Sequence, residues 1–207
     1  MSILQFPTPD TKVRQFTSRF QNSFLALVLM SVCPMSMVAQ GIHVHRPAPE
    51  QTELTPDQDS LIQIVRDNTE RFKNVTVAEG EGYALQFGCV SGPDSGAMGL
   101  HFINSALVGS GVIDATRPQA VIYEQLPNGH LQLIGADYLV LADTWNAKHQ
   151  SPPELNGQLF HLFDTPNRFG LPAFYTLHVW AWKDNPNGAF VNWHPNVSCQ
   201  NFAGRHP

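Results

Sequence analysis

The chain has 207 residues, of which 14% are charged and 43% hydrophobic, and its net charge is −5. That balance excludes intrinsic disorder over the body of the chain. An acidic chain without a basic stripe also argues against a nucleic-acid partner.

The N-terminus reads as a signal peptide over residues 1–39. Lys12, Arg14 and Arg19 supply a basic region, Phe24–Val32 an apolar run, and Ala39 a small residue for cleavage. The apolar run is too short to span a bilayer comfortably, so no membrane span is expected after cleavage. Met37 stands where a small side chain is preferred, which leaves an uncleaved anchor as the alternative. Residues 40–54 are polar and punctuated by proline, and read as a linker. Residues 55–207 then form one β-rich domain, long enough to bury about 70% of its unfolded surface. The expected location is secreted or periplasmic.

Export decides how the cysteines are read. Only Cys89 and Cys199 remain after cleavage. Two cysteines in an oxidising compartment most simply form one disulfide, with a thiolate ligand or nucleophile as the alternative.

A helix is expected from Thr55 to about Lys73. Thr55-Pro56-Asp57-Gln58 has the form of a capping box with proline at the first helical position. Leu61, Ile64, Val65 and Phe72 share its apolar face. Strands follow at residues 83–90, 97–104, 120–126, 131–141, 157–163, 174–182 and 189–193. Pro127-Asn128-Gly129 between two of them signals a hairpin. The expected fold class is α+β: a mainly antiparallel curved β-sheet or β-barrel with one N-terminal amphipathic helix.

Read with period two, four strand faces carry ionisable residues among apolar ones. His101 follows Ala97 and Gly99, and Glu124 follows Ala120 and Ile122. Asp137 lies between Gly135 and Leu139, and His178 between Thr176 and Trp180. Such groups are rarely buried without partners, because desolvating the charged form is costly. If the four strands line one barrel, two imidazoles and two carboxylates meet inside it. That donor set suits a divalent transition metal, Zn, Mn, Fe or Cu. Asp137 would be a fourth ligand or would orient an imidazole. His194 is a further candidate ligand, and Trp180 and Trp182 are candidate walls of a pocket.

Three stretches together resemble a group of exported bacterial proteins to which no activity is assigned. They are Gly88–Pro93 running into Gly96–Asn104, Tyr123-Glu124, and Leu177–Lys183 leading to Asn185–Gly188 and Val197–Cys199. The resemblance spans roughly residues 80–200 and implies export and a domain of that extent. It implies no reaction.

Two functions from different classes stand. The first is a small-ligand or metal-binding β-barrel with its site at His101, Glu124, Asp137 and His178. If it is an enzyme, it is a metal-assisted one. The second is a structural or assembly protein of the cell envelope, whose polar core network only fixes the fold. The sequence sets neither the metal, the ligand, the reaction nor the oligomeric state.

Overall fold

The computed structural model describes residues 53–204 and Pro207. The expected signal peptide and nearly all of the expected linker lie outside these described residues. No helix among the described residues is long and apolar enough to cross a membrane.

Helix α1, Pro56–Thr69, begins with a complete capping box. The Thr55 hydroxyl accepts from the Gln58 amide, and the Gln58 side chain accepts from the Thr55 amide. These bonds satisfy two of the N–H groups that a helix start leaves open. The helix tightens into a 3₁₀ turn at Glu70–Lys73. Leu61, Ile62 and Val65 are buried against Ala136, Tyr138, Val140, Leu177 and Val179 of the sheet. Each fully buried aliphatic side chain contributes about 1.5–3 kcal/mol of transfer free energy. Ile62 takes the buried position that the sequence pattern gave to Ile64, which is only half-buried. Three short helices not expected from the sequence follow: α2 (Val75–Gly80), α3 (Ser105–Ser110) and α4 (Ala142–Asn146). Asn74 and Asn104 cap the first two by accepting backbone N–H bonds.

The strands are β1 (Ala84–Ser91), β2 (Ala97–Ile103), β3 (Ala120–Gln125), β4 (Leu131–Leu141), β5 (Glu154–Leu155), β6 (Gln158–Leu159), β7 (His161–Phe163) and β8 (Phe174–Val179). Six of them form one antiparallel sheet in the order β1-β2-β3-β4-β8-β7, curled into a half-barrel. β5 and β6 pair separately. The expected strand at 189–193 is absent. Those residues follow a turn at Asn185–Gly188, and Ala189 accepts a single bond from the Trp180 amide.

Two glycines permit the curl. A Cβ on Gly135 would stand 2.6 Å from the Val179 carbonyl oxygen, and one on Gly99 would stand 2.7 Å from that of Tyr123. Backbone passes where any side chain would obstruct it. Gly99 also has φ +89, in the left-handed region.

Bulges break the two-residue period where the strands bend. Leu85 pairs with Phe102 and Cys89 with Leu100, so residues 86–88 of β1 stand opposite His101 alone. Val90 pairs with Gly99 and Ser91 with Ala97, leaving Met98 as an extra residue. Ile122 pairs with Gly135 and Tyr123 with Leu133, leaving Ile134 extra. The Met98 bulge takes Ala97 off the face on which the sequence pattern set it with Gly99 and His101. Met98 lines the concave cavity with His101 and Ile103, whereas Ala97 packs near Cys89, Val197 and Cys199.

Cys89 and Cys199 form a disulfide across 110 residues. It fastens the C-terminal segment to β1. Backbone bonds between Ala97 and His194, in both directions, fasten the same segment to β2.

Candidate metal centre

The register places the site residues. Asp137 on β4 pairs directly with His178 on β8, and with Ala120 on β3. His101 on β2 pairs with Ile122 of β3. β3 and β4 therefore separate the two histidine strands, a path of about 14 Å in a flat sheet. Yet the two rings stand 5.4 Å apart, at an interplanar angle of 82°. Only the curl of the sheet brings β2 and β8 face to face. Ala120 of β3, opposite Ile103 of β2 and Asp137 of β4, presents only a methyl group between those strands.

His101 Nε2 and His178 Nε2 are 3.2 Å apart. His178 Nδ1 stands 3.8 Å from Asp137 Oδ1. One nitrogen from each histidine and one Asp137 oxygen all lie within 4.8 Å of one another, and all three residues are buried. The Thr176 hydroxyl donates a 2.5 Å bond to Asp137 Oδ1. The Nδ1 atoms of both histidines lack a well-formed hydrogen bond. The Gly99 backbone and the Asn192 side chain lie close enough to favour the charged forms of His101 and His178 respectively. Asn192 Oδ1 is itself buried and unpaired.

Burial governs the protonation states. It pushes His101 down to about 4, assisted by the neighbouring His178. It pushes His178 down to about 3, with Asn192 opposing. It raises Asp137 to about 6, against the pull of His101 and of the bonds from Thr176 and the Leu177 backbone. Near neutral pH both imidazoles are neutral, and neutral imidazole is the form that ligates metal.

The cavity above these groups has a volume of about 30 Å³, room for a water molecule or a bare ion, and an organic molecule enters only if a wall side chain moves aside. Its polar lining is His101, Asp137, Thr176 and His178. The remaining wall is apolar and mainly phenylalanine: Phe87, Phe163, Phe169 and Phe174.

Two sequence expectations are corrected here. Glu124 does not join the group. It lies four residues along β3 from Ala120, the residue opposite Asp137, which is about 13 Å of strand. Its Oε2 instead meets Lys183 Nζ at 2.5 Å, and its Oε1 accepts from the Ser198 amide. Trp180 and Trp182 do not line the cavity, because β8 ends at Val179, where the Ala181 amide bonds back to the Val179 carbonyl and breaks the alternation. Trp180 Nε1 donates to the Val191 carbonyl and Trp182 Nε1 to the Thr69 hydroxyl. Trp182 also receives Lys73 over its ring face.

His194 likewise stands apart. It is fully buried, and its Nδ1 accepts from the Asn196 amide. Its ring meets that of Trp180 edge to face at 4.9 Å. His130, His149 and His161 are exposed. The sequence reading placed Phe174 in an aromatic wall, but it missed Phe87, Phe163 and Phe169 there and gave Thr176, on the strand face of His178, no role. Compared with known proteins, the chain matches no family model, no curated protein and no solved structure.

Proposed function

We propose that this is an exported protein that binds one divalent transition metal ion through His101, His178 and Asp137. The observation that carries the reading is the pair of buried, neutral imidazoles with their Nε2 atoms 3.2 Å apart. Two nitrogens each about 2.0–2.1 Å from one tetrahedral ion stand about 3.3 Å apart, so this spacing suits a shared ion. Nε2 ligation leaves each Nδ1–H as a donor, with the Gly99 backbone beside the His101 ring and Asn192 and Asp137 beside the His178 ring. Acceptors of these kinds fix a ligating tautomer. Two imidazoles and a carboxylate suit Zn, Mn, Fe or Cu. Three protein ligands leave a position for water, as catalytic rather than structural zinc sites do. Export is proposed from the basic and then apolar N-terminal pattern, and the disulfide supports it.

Cobalt(II) titration of the chelator-treated protein tests the metal site. One equivalent should bind with d–d absorption of a nitrogen- and oxygen-ligated ion. The His101→Ala/His178→Ala variant should take up none while keeping the fold. No uptake by the wild type, or undiminished uptake by the variant, overturns the reading.

One observation favours the second reading, a polar network that only fixes the fold. The imidazoles are already in hydrogen-bond contact with each other, and Asp137 already accepts from Thr176. Such a network needs no metal. It predicts that no titrated cation raises the melting temperature.

A further inference from the structure

We propose that the chamber above His101, Asp137 and His178 receives a small uncharged aromatic molecule, and that the ring of Phe169 is what this ligand displaces. The proposal deepens the metal reading at its polar end only; the aromatic chamber exists whether or not a metal binds.

The wall itself selects the ligand. Among the described residues no lysine or arginine lines the chamber, and its ionisable groups are the buried Asp137 and the two histidines. In the metal-free protein a carboxylate or phosphate would enter an apolar space with no cation to receive it and a carboxyl group beside it, at a desolvation cost that nothing offsets. A neutral molecule meets no such cost. A single hydroxyl or carbonyl on it would find the imidazole pair and Asp137 at the floor.

Phe169 serves as a template for the ligand. Its ring lies 5.4 Å from Phe87, 6.2 Å from Phe163 and 6.0 Å from Phe174, tilted against each. Phe163 and Phe174 are themselves stacked in parallel, 5.2 Å apart. The three rings form a box fitted to a fourth, and tilted contacts of this kind are favoured by the aromatic quadrupole. An incoming ring of the same size can make the same contacts.

Phe169 is also the member able to leave. It is half-buried and sits between exposed Arg168 and Gly170, in the loop joining β7 to β8. The loop is held mainly by bonds around Asn167, and Arg168 also donates to the Pro207 carbonyl and lies over the Trp193 ring. Asn167 Oδ1 accepts from the Phe169 and Leu171 amides, and its Nδ2 donates to the Asp164 and Leu171 carbonyls. Phe87, by contrast, belongs to the sheet. It occupies the left-handed region at φ 64, inside the three-residue bulge opposite His101. Bulky residues rarely hold that conformation, and such outliers cluster at ligand sites. The bulge aims the Phe87 ring over the chamber.

Phenol is the probe and benzoate its charged control, added to chelator-treated protein at pH 7.5. Binding is read by ligand-observed NMR and by the methyl resonances of Ile103 and Leu139, which line the chamber. The wild type should bind phenol and shift both methyl groups. Phe169→Ala should bind it at least tenfold more tightly, and benzoate should bind neither protein. Phe169→Leu, which keeps most of the apolar volume, serves if the alanine variant does not fold, and should also bind phenol more tightly. Equal binding of phenol and benzoate, or phenol binding by neither wild type nor variant, overturns the proposal. Because the protein is metal-free, phenol binding without cobalt uptake would refute the metal site alone. Cobalt uptake without phenol binding would refute this proposal alone.

Discussion

Glu124 and His178 are both buried and ionisable, both sit on strands of the same sheet, and their surroundings differ in kind. Both oxygens of Glu124 are engaged, one by Lys183 and one by the Ser198 amide. His178 has a fellow histidine on one nitrogen and no well-formed bond on the other. The first cluster ties β3 to the segment after β8 and to the C-terminal tail. The second joins β2, β4 and β8 at one point and leaves both Nδ1 atoms open. A buried polar group with every bond made is accounted for by the fold, whereas one left open calls for a further partner, as does His194 Nε2 outside the site. The comparison therefore separates a clamp from a site. It predicts that damage to the clamp costs stability and spares metal uptake, and that damage to the site does the reverse.

The largest effect should come from the clamp's covalent part. The disulfide closes a loop with a sequence separation of 110, for which chain entropy gives about 4–5 kcal/mol. Cys89→Ser/Cys199→Ser should lose stability of that order in urea melts, while the folded fraction still takes up cobalt. Loss of cobalt binding by the folded fraction would break the comparison, because the site would then depend on the clamp.

Acid should act through the site. The unfolded chain protonates both histidines below about pH 6.5, whereas the folded chain does so only near 4 and 3. That difference removes stability as pH falls. Asp137 works the other way: its folded value of about 6 lies above the unfolded one, so the folded chain gains a proton first. Between pH 6 and 4 the unfolded state holds two extra protons and the folded state one. The net difference of one proton corresponds to about 1.4 kcal/mol of stability lost per pH unit, or roughly 3 kcal/mol across the window. Urea melts of the metal-free protein at stepped pH measure it. Asp137→Asn removes the opposing proton and should steepen the slope. An unchanged or reversed slope would show that the histidines are not held neutral.

Much of this was legible in the sequence. The helix start at Thr55, the hairpin at Asn128-Gly129 and the pairing of the two cysteines are local or forced choices. The burial of His101, Asp137 and His178 followed from polar residues interrupting apolar strand faces. Which of them meet was not legible. Alternation alone puts Glu124 on the face of Ala120, yet cannot say that the site lies at Ala120 and not four residues further along. Register fixes that, and register depends on where bulges fall. Nor can periodicity show that β2 and β8 face each other across two intervening strands, since that follows from a curl permitted by close backbone contacts at Gly99 and Gly135. Trp180 and Trp182 were misplaced because a continuous aromatic run gives no sign that the strand stops at Val179.

The last two effects are smaller, and their signs decide the comparison. Glu124→Gln leaves Lys183 without its anion and weakens the bond from Ser198. Removing one partner of a mostly buried ion pair should cost about 1–3 kcal/mol. His101→Leu/His178→Leu removes both members of a contact at once and replaces two poorly satisfied rings with apolar groups. Deleting both partners of a buried polar pair is often neutral or stabilising, so this double variant should change stability by less than about 1 kcal/mol, or raise it, while abolishing metal uptake. A clamp resists such replacement and a site does not, because a site holds open groups that the fold alone would be better without. If the leucine pair instead costs as much as Glu124→Gln, the histidines contribute to folding in their own right, and the metal-free network becomes the better account of them.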